Sequence, residues 1–205
     1  MRDDLRPVGL QDLFLALRHQ VDVELRHARL DDAPPLPPAP SREFLPPRLL
    51  LRGVEHVESG YIGGTLPHPS YEAVCTGTTG HAEVVQVTYD PAEISYREVL
   101  DVFFTIHDPT TLNRQGNDVG TQYRSVILYH TDEQKELAEH YKRKLDESGI
   151  YSRPIVTEIT RYSEFYPAED YHKNYYQNNK SQGYCQVVIN PKLKKVQEQF
   201  ATLLK

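Results

Sequence analysis

Tryptophan is absent from this chain, methionine occurs once, and there are only two cysteines, Cys75 and Cys185. Two thiols so far apart cannot build a disulfide framework, and without a CxxC pair no zinc-type cysteine site is expected, so no metal is assigned. Taken alone they are either two inert buried thiols or a redox thiol. No apolar run approaches the roughly 18 residues that a membrane span needs. Basic charge is also short: 23 Lys and Arg face 29 Asp and Glu, for a net charge of −6. That argues against general nucleic-acid binding, which draws its affinity from a basic face. The N-terminus shows no secretory pattern of charged, apolar and small-residue regions, so a reducing, cytoplasmic setting is expected.

What is present is the composition of a folded chain, with 39% apolar and 25% charged residues. At 205 residues there is room for one ordinary domain and an appendage. The composition divides accordingly, into a divergent Arg/Pro-rich segment over 1–50 and a folded domain over 51–205. Eight of the fifteen prolines lie between Pro7 and Pro47, and every Lys or Arg before Lys135 is an arginine. Asp32–Pro40 reads DAPPLPPAP, which cannot be helix or central strand because proline fixes φ and lacks the N–H. It reads as a stiff linker or disordered arm. Ahead of it, Leu10 to Leu30 fits one amphipathic helix, with Leu10, Leu13, Phe14, Leu17, Val21 and Leu25 on one face. Its arginines would suit a mitochondrial presequence, whereas Asp3, Asp4, Asp12 and Asp22 oppose one.

From Leu51 the texture changes. His81–Tyr89 alternates as a strand, Tyr123–Tyr129 as a second and Arg153–Thr160 as a third. Ser95 and Glu98 form a capping box ahead of Val99, Val102, Phe103 and Ile106 at helical spacing. Thr131 and Gln134 repeat the device for a helix closed by Gly149. Pro167 and Pro191 sit at expected helix N1 positions, and Leu193, Val196, Phe200 and Leu203 form a last apolar stripe. Mixed helices and strands with long loops indicate an α+β fold, helices laid on a mixed or antiparallel sheet. Many of the 14 tyrosines fall between Tyr151 and Tyr184, which suggests a packed, hydrogen-bonded aromatic layer.

Chemistry concentrates in a few places. Glu83 opens the strand GHAEVVQVTY on the same face as Val85, Val87 and Tyr89. It is either a solvated strand-end glutamate or a desolvated carboxyl suited to general acid work. Two polar loops, from Gly60 to Tyr71 and from Asn113 to Tyr123, are dense in glycine. Within the second, Asp118 and Tyr123 make either a donor–acceptor set or an ordinary turn.

The segments GYIGGTLPHPSYEAVCTGTTGHAEVVQVTYDP, IHDPTTLNRQGNDVGTQYRSVI, FYPAEDYHKNYY and GYC, in that order, resemble the A-type methionine sulfoxide reductases over about residues 51–190. The resemblance implies a ferredoxin-like α+β domain that reduces methionine-S-sulfoxide, free or in proteins, with thioredoxin as reductant, no bound cofactor, and a monomeric state. It implies that Glu83 hydrogen-bonds or protonates the sulfoxide oxygen, that Tyr71 and Tyr123 help bind and polarise it, and that Asp118 supports them. Cys185 corresponds to the resolving cysteine, and Cys75 to a structural one.

One motif is missing. Such enzymes carry their nucleophile in GCFWG at the start of the domain, on a helix N-terminus that lowers the thiol pKa. Counting back without gaps from Leu51-Arg52-Gly53-Val54 places that motif at 39–43, where this chain reads Ala39-Pro40-Ser41-Arg42-Glu43. Pro40 holds the cysteine slot and offers no nucleophile. Three readings follow: a reductase by descent with impaired activity, a non-catalytic relative that binds through the remaining site, or a chain whose first fifty residues derive from another start or a mis-joined exon. Loss of the element around the motif further predicts an unpaired sheet edge and a low melting temperature.

Overall fold

The structure, a computed structural model, describes residues 20–24, 51–169, 186 and 190–204. Its elements in chain order are β1 (Gln20–Glu24), β2 (Val54–Ile62), α1 (Tyr71–Cys75), β3 (Ala82–Tyr89), α2 (Tyr96–Ile106), β4 (Arg114–Gln115), β5 (Asp118–Val119), β6 (Val126–Tyr129), α3 (Asp132–Ser148), β7 (Glu158–Arg161), β8 (Tyr166–Pro167) and α4 (Asn190–Gln199). Six strands form one mixed sheet in the order β7-β6-β1-β3-β2-β8, and β4 and β5 make a separate hairpin. The fold is α+β, as the alternation of periods indicated.

Both capping boxes form. The Ser95 hydroxyl accepts from the Glu98 amide and the Glu98 carboxylate accepts from the Ser95 amide; Thr131 and Gln134 make the same exchange. Gly149 closes α3 with φ +69°, a left-handed conformation open to glycine at little cost. The apolar stripe of α2, through Val99, Leu100, Phe103 and Phe104, packs on Val54, Tyr89, Ile94 and Ile127. On the opposite face of the sheet Ile62, Ala82, Val84, Val126 and Leu128 form a second cluster under Tyr162 and Phe165. Val196 of α4 closes on Val102 and Ile106.

Several expectations change in the folded chain. Gln20–Glu24 is not helical but a strand in the interior of the sheet, parallel to both β3 and β6. Five residues with valine at alternate positions satisfy a strand as readily as a helix, and pairing on both sides decides between them. The rest of the predicted helix, the linker and Pro40 lie outside the described residues. Among the described residues β1 fills the gap between β3 and β6, so the outer strands of the sheet are β7 and β8. β6 begins only at Val126, since Thr121–Tyr123 winds into a 3-10 turn. β7 begins only at Glu158, because the Ile155 amide donates to Asp146 Oδ1 (2.8 Å) and the Val156 amide to the Pro109 carbonyl (2.8 Å). Pro167 starts no helix but ends β8, opposite Gly60 at the sheet's edge, where a residue without an N–H is tolerated. Gly60 itself is required there: a Cβ would lie 2.4 Å from the Tyr166 carbonyl oxygen and 2.4 Å from Phe165 Cζ. Gly60–Ile62, read as the start of a loop, is therefore the end of β2.

Candidate active site

Glu83 is the second residue of β3, paired with Tyr61 across β2, and has 0% exposure. The solvated reading of this glutamate is thereby excluded. Just before it, buried His81 ties two loops together. Its Nδ1 accepts from the Gly64 amide (3.1 Å), and its Nε2 donates to the Leu66 carbonyl (2.8 Å). This fastens the glycine-rich turn after β2 against the end of β3 that carries Glu83.

That turn leads into α1. Ser70 caps the helix by accepting from the Ala73 amide (3.3 Å), and Tyr71 at its first position is 5% exposed. Tyr71 and Cys75 stand one turn apart and their side chains hydrogen-bond, and the Tyr71 phenol also feels Glu83 and Tyr123. Burial first, then the bond to Cys75 and the neighbouring Glu83, raise the Tyr71 phenol well above its ordinary value, so it stays a donor. Burial also raises the Cys75 thiol; the Tyr71 hydrogen bond opposes this, while the carboxylates of Glu83, Glu72 and Glu169 reinforce it. A half-buried thiol among three carboxylates is held protonated and is a poor nucleophile.

Tyr123, 5% exposed, ends the 3-10 turn after the β4–β5 hairpin. The turn is seated on α1: Gln122 Nε2 donates to the Cys75 carbonyl (3.3 Å) and Thr121 Oγ1 to the Gly77 carbonyl (3.1 Å). Asp118, 7% exposed, pairs across the hairpin with Gln115. Burial pushes its carboxyl up to about 6, partly offset by Lys192 of α4. Gln115 in turn brackets Asp108, its Oε1 accepting from the Asp108 amide (3.0 Å) and its Nε2 donating to the Asp108 carbonyl (3.2 Å).

Of the site residues read from sequence, Tyr71 lies within electrostatic reach of both Glu83 and Tyr123, and its side chain hydrogen-bonds Cys75. Asp118 is buried in the hairpin that precedes Tyr123. Cys185 and Pro40 lie outside the described residues. Sequence reasoning missed His81, Gln122 and Glu169 as organisers of this region, although all three stand inside quoted motifs. The signal was the motif itself; the hydrogen bonds could not be read from it. Among the described residues no group of three His, Cys, Asp or Glu side chains could hold a metal ion.

What three buried side chains with two phenol donors and a carboxyl can do is neutralise negative charge developing on a small bound oxygen. The sequence pattern described as "Peptide methionine sulfoxide reductase" matches residues 48–204. Peptide methionine sulfoxide reductase MsrA of Deinococcus radiodurans is 56% identical over 155 residues, covering 76% of this chain and 75% of that protein. The protein of the same name from Polynucleobacter asymbioticus is 54% identical over 154 residues, covering 75% and 81%. Among solved structures, reduced Mxr1 from Saccharomyces cerevisiae superposes with a TM-score of 0.60 at 40% identity, over 64% of this chain and 75% of that one. Methionine sulfoxide reductase A of Corynebacterium diphtheriae gives 0.58 at 40% identity, over 66% and 68%. The sequence match starts after β1, so the interior strand of the sheet comes from outside the matched region.

Proposed function

The chain belongs to the peptide methionine sulfoxide reductase family, and on that premise we propose that it keeps the oxygen-binding half of a methionine-S-sulfoxide site but lacks the thiolate needed to turn the substrate over. The burial of Tyr71, Glu83 and Tyr123, with the Tyr71 phenol in electrostatic reach of the other two, carries this reading. In the full reaction a thiolate attacks the sulfoxide sulfur while the oxygen is protonated and leaves as water, and a water then attacks the nucleophile's sulfur, breaking the S–S bond to release methionine and leave a sulfenic acid. A second thiol, assigned to Cys185, then displaces water to form a disulfide, which thioredoxin reduces by exchange. Here the phenols of Tyr71 and Tyr123 would donate to the sulfoxide oxygen, Glu83 would supply the proton, and Asp118 would support them. No bound cofactor takes part in this scheme. We assign the substrate as methionine sulfoxide in proteins or free, and the compartment as cytoplasm.

The first step fails for want of a nucleophile. Pro40 occupies the slot reached by counting back from Leu51, and Cys75 is kept protonated by its surroundings. Surviving oxygen donors cannot replace a missing thiolate.

The deciding experiment is turnover of free and peptide methionine-S-sulfoxide with dithiothreitol or thioredoxin, for the native chain beside Pro40→Cys. The expectation is native activity lower than the variant's by orders of magnitude. Robust native turnover that disappears in Cys75→Ser would overturn the assignment and make Cys75 the nucleophile.

A further inference from the structure

The proposed site leaves one buried arrangement unexplained. α1 has only five residues, Tyr71–Cys75, too short to hold its own position. Yet its first residue carries the phenol that must meet Glu83. Two carboxylate oxygens fix that residue. Glu169 Oε1 accepts from the Tyr71 backbone amide (2.8 Å), and Glu169 Oε2 accepts from the Tyr61 phenol (2.9 Å). Tyr61 is itself 0% exposed and faces Glu83 across the β2–β3 ladder. Glu169 in turn follows β8, whose Tyr166 and Pro167 pair with Tyr61 and Gly60, and the Ala168 amide donates to the Ser59 carbonyl (2.8 Å). The carboxylate therefore sits two residues past a strand anchored to β2 and grips both β2 and the helix.

We infer that Glu169 is a positioning residue for the sulfoxide-binding site: by clamping the Tyr61 phenol and the first amide of α1 it holds the Tyr71 phenol beside Glu83. The inference rests on the reading of the site given above. The geometry favours a specific clamp over general fold support for two reasons. The bond goes to the amide of the very residue whose phenol is used. The Ser70 hydroxyl already satisfies the Ala73 amide, so Glu169 takes a separate donor at the helix start, where a negative charge is also favourable. Tyr61 gains a role by the same argument. Its phenol is not aimed at substrate; it holds the clamp.

The test is an NMR titration of the full chain with the S and R epimers of N-acetyl-methionine sulfoxide methylamide. The native chain should bind the S epimer more tightly. Glu169→Ala should lower S-epimer affinity about tenfold and erase the preference, because one charged hydrogen bond no longer fixes the phenol. Tyr71→Phe should do the same, and the double variant should lose no more than either alone. Glu169→Gln, which keeps an oxygen for the Tyr71 amide, should retain part of the preference, and Tyr61→Phe should fall between. In the same spectra the Tyr71 amide should exchange more than tenfold faster in Glu169→Ala while β3 amides stay protected. Unchanged Tyr71 exchange, or an affinity loss that adds to that of Tyr71→Phe, overturns the clamp. Absence of epimer preference in the native chain, with Tyr71 exchange accelerated as expected, would sink the substrate assignment and leave the clamp standing.

Discussion

His107, at the C-terminal cap of α2, makes the stability of this chain depend on pH in a way that can be worked out. Its Nδ1 lies 2.6 Å from the Phe103 carbonyl and must carry the proton; its Nε2, 3.0 Å from Ser125 Oγ, must then accept. Ser125 Oγ is also 2.8 Å from Thr157 Oγ1, in the buried interior between β6 and the approach to β7. Protonating the ring would put a hydrogen on Nε2 and a charge in the interior, and Ser125 would have to turn its own hydrogen toward Thr157 to accept it. Burial holds the imidazole down to about 4, against an ordinary value of 6.5; the Phe103 carbonyl opposes this and Lys192 adds to it. A histidine whose folded value is depressed binds its proton more readily when unfolded, so its contribution is intact above 6.5 and is lost as pH falls toward 4. From those two values the loss between about pH 7.5 and about pH 5 is about 2 kcal/mol. The check is urea unfolding across that range for the native chain and for His107→Gln. The glutamine amide can donate to Phe103 and accept from Ser125 without titrating. The native chain should lose about 2 kcal/mol more than the variant over that interval. Equal losses in both would refute the argument that His107 folds neutral.

Gly60→Ala should cost about 3 kcal/mol and lower Tm by roughly 6–12 °C in a thermal melt, because the new methyl meets both a carbonyl and a ring at 2.4 Å; an unchanged melt would mean that β8 does not lie where described. Asp118→Asn should stabilise the chain at neutral pH by about 1–2 kcal/mol in chemical denaturation, since a carboxyl pushed up to about 6 pays for ionising in the folded state. The sign follows from linkage. An acid raised on folding loses stability as pH climbs from its ordinary 3.8 through the raised value, so the gain should vanish below that window. Turnover by the native chain should stay orders of magnitude below that of Pro40→Cys, in the assay described above.

The sequence by itself carried the family motifs, the paired capping signals at Ser95 and Thr131, the strand of Glu83 and the missing nucleophile. These are local or covalent facts: a capping box is four consecutive residues, and a proline in a cysteine's slot needs no fold to be recognised. Cap, period and motif agreed in α2, α3 and β3, and there the helices and the strand fall where expected. Tertiary structure decided the rest. Gln20–Glu24 was ambiguous between helix and strand until β3 and β6 offered it partners on both sides. Pro167 looked like a helix start until Gly60 allowed a second strand to approach within contact. The burial of Glu83, which separates a general acid from a solvated side chain, is set by β2 and α1 packing around it. Glu169 shows the difference most directly. Its two hydrogen bonds cross about a hundred residues of chain, and contacts of that range are fixed by how the sheet closes.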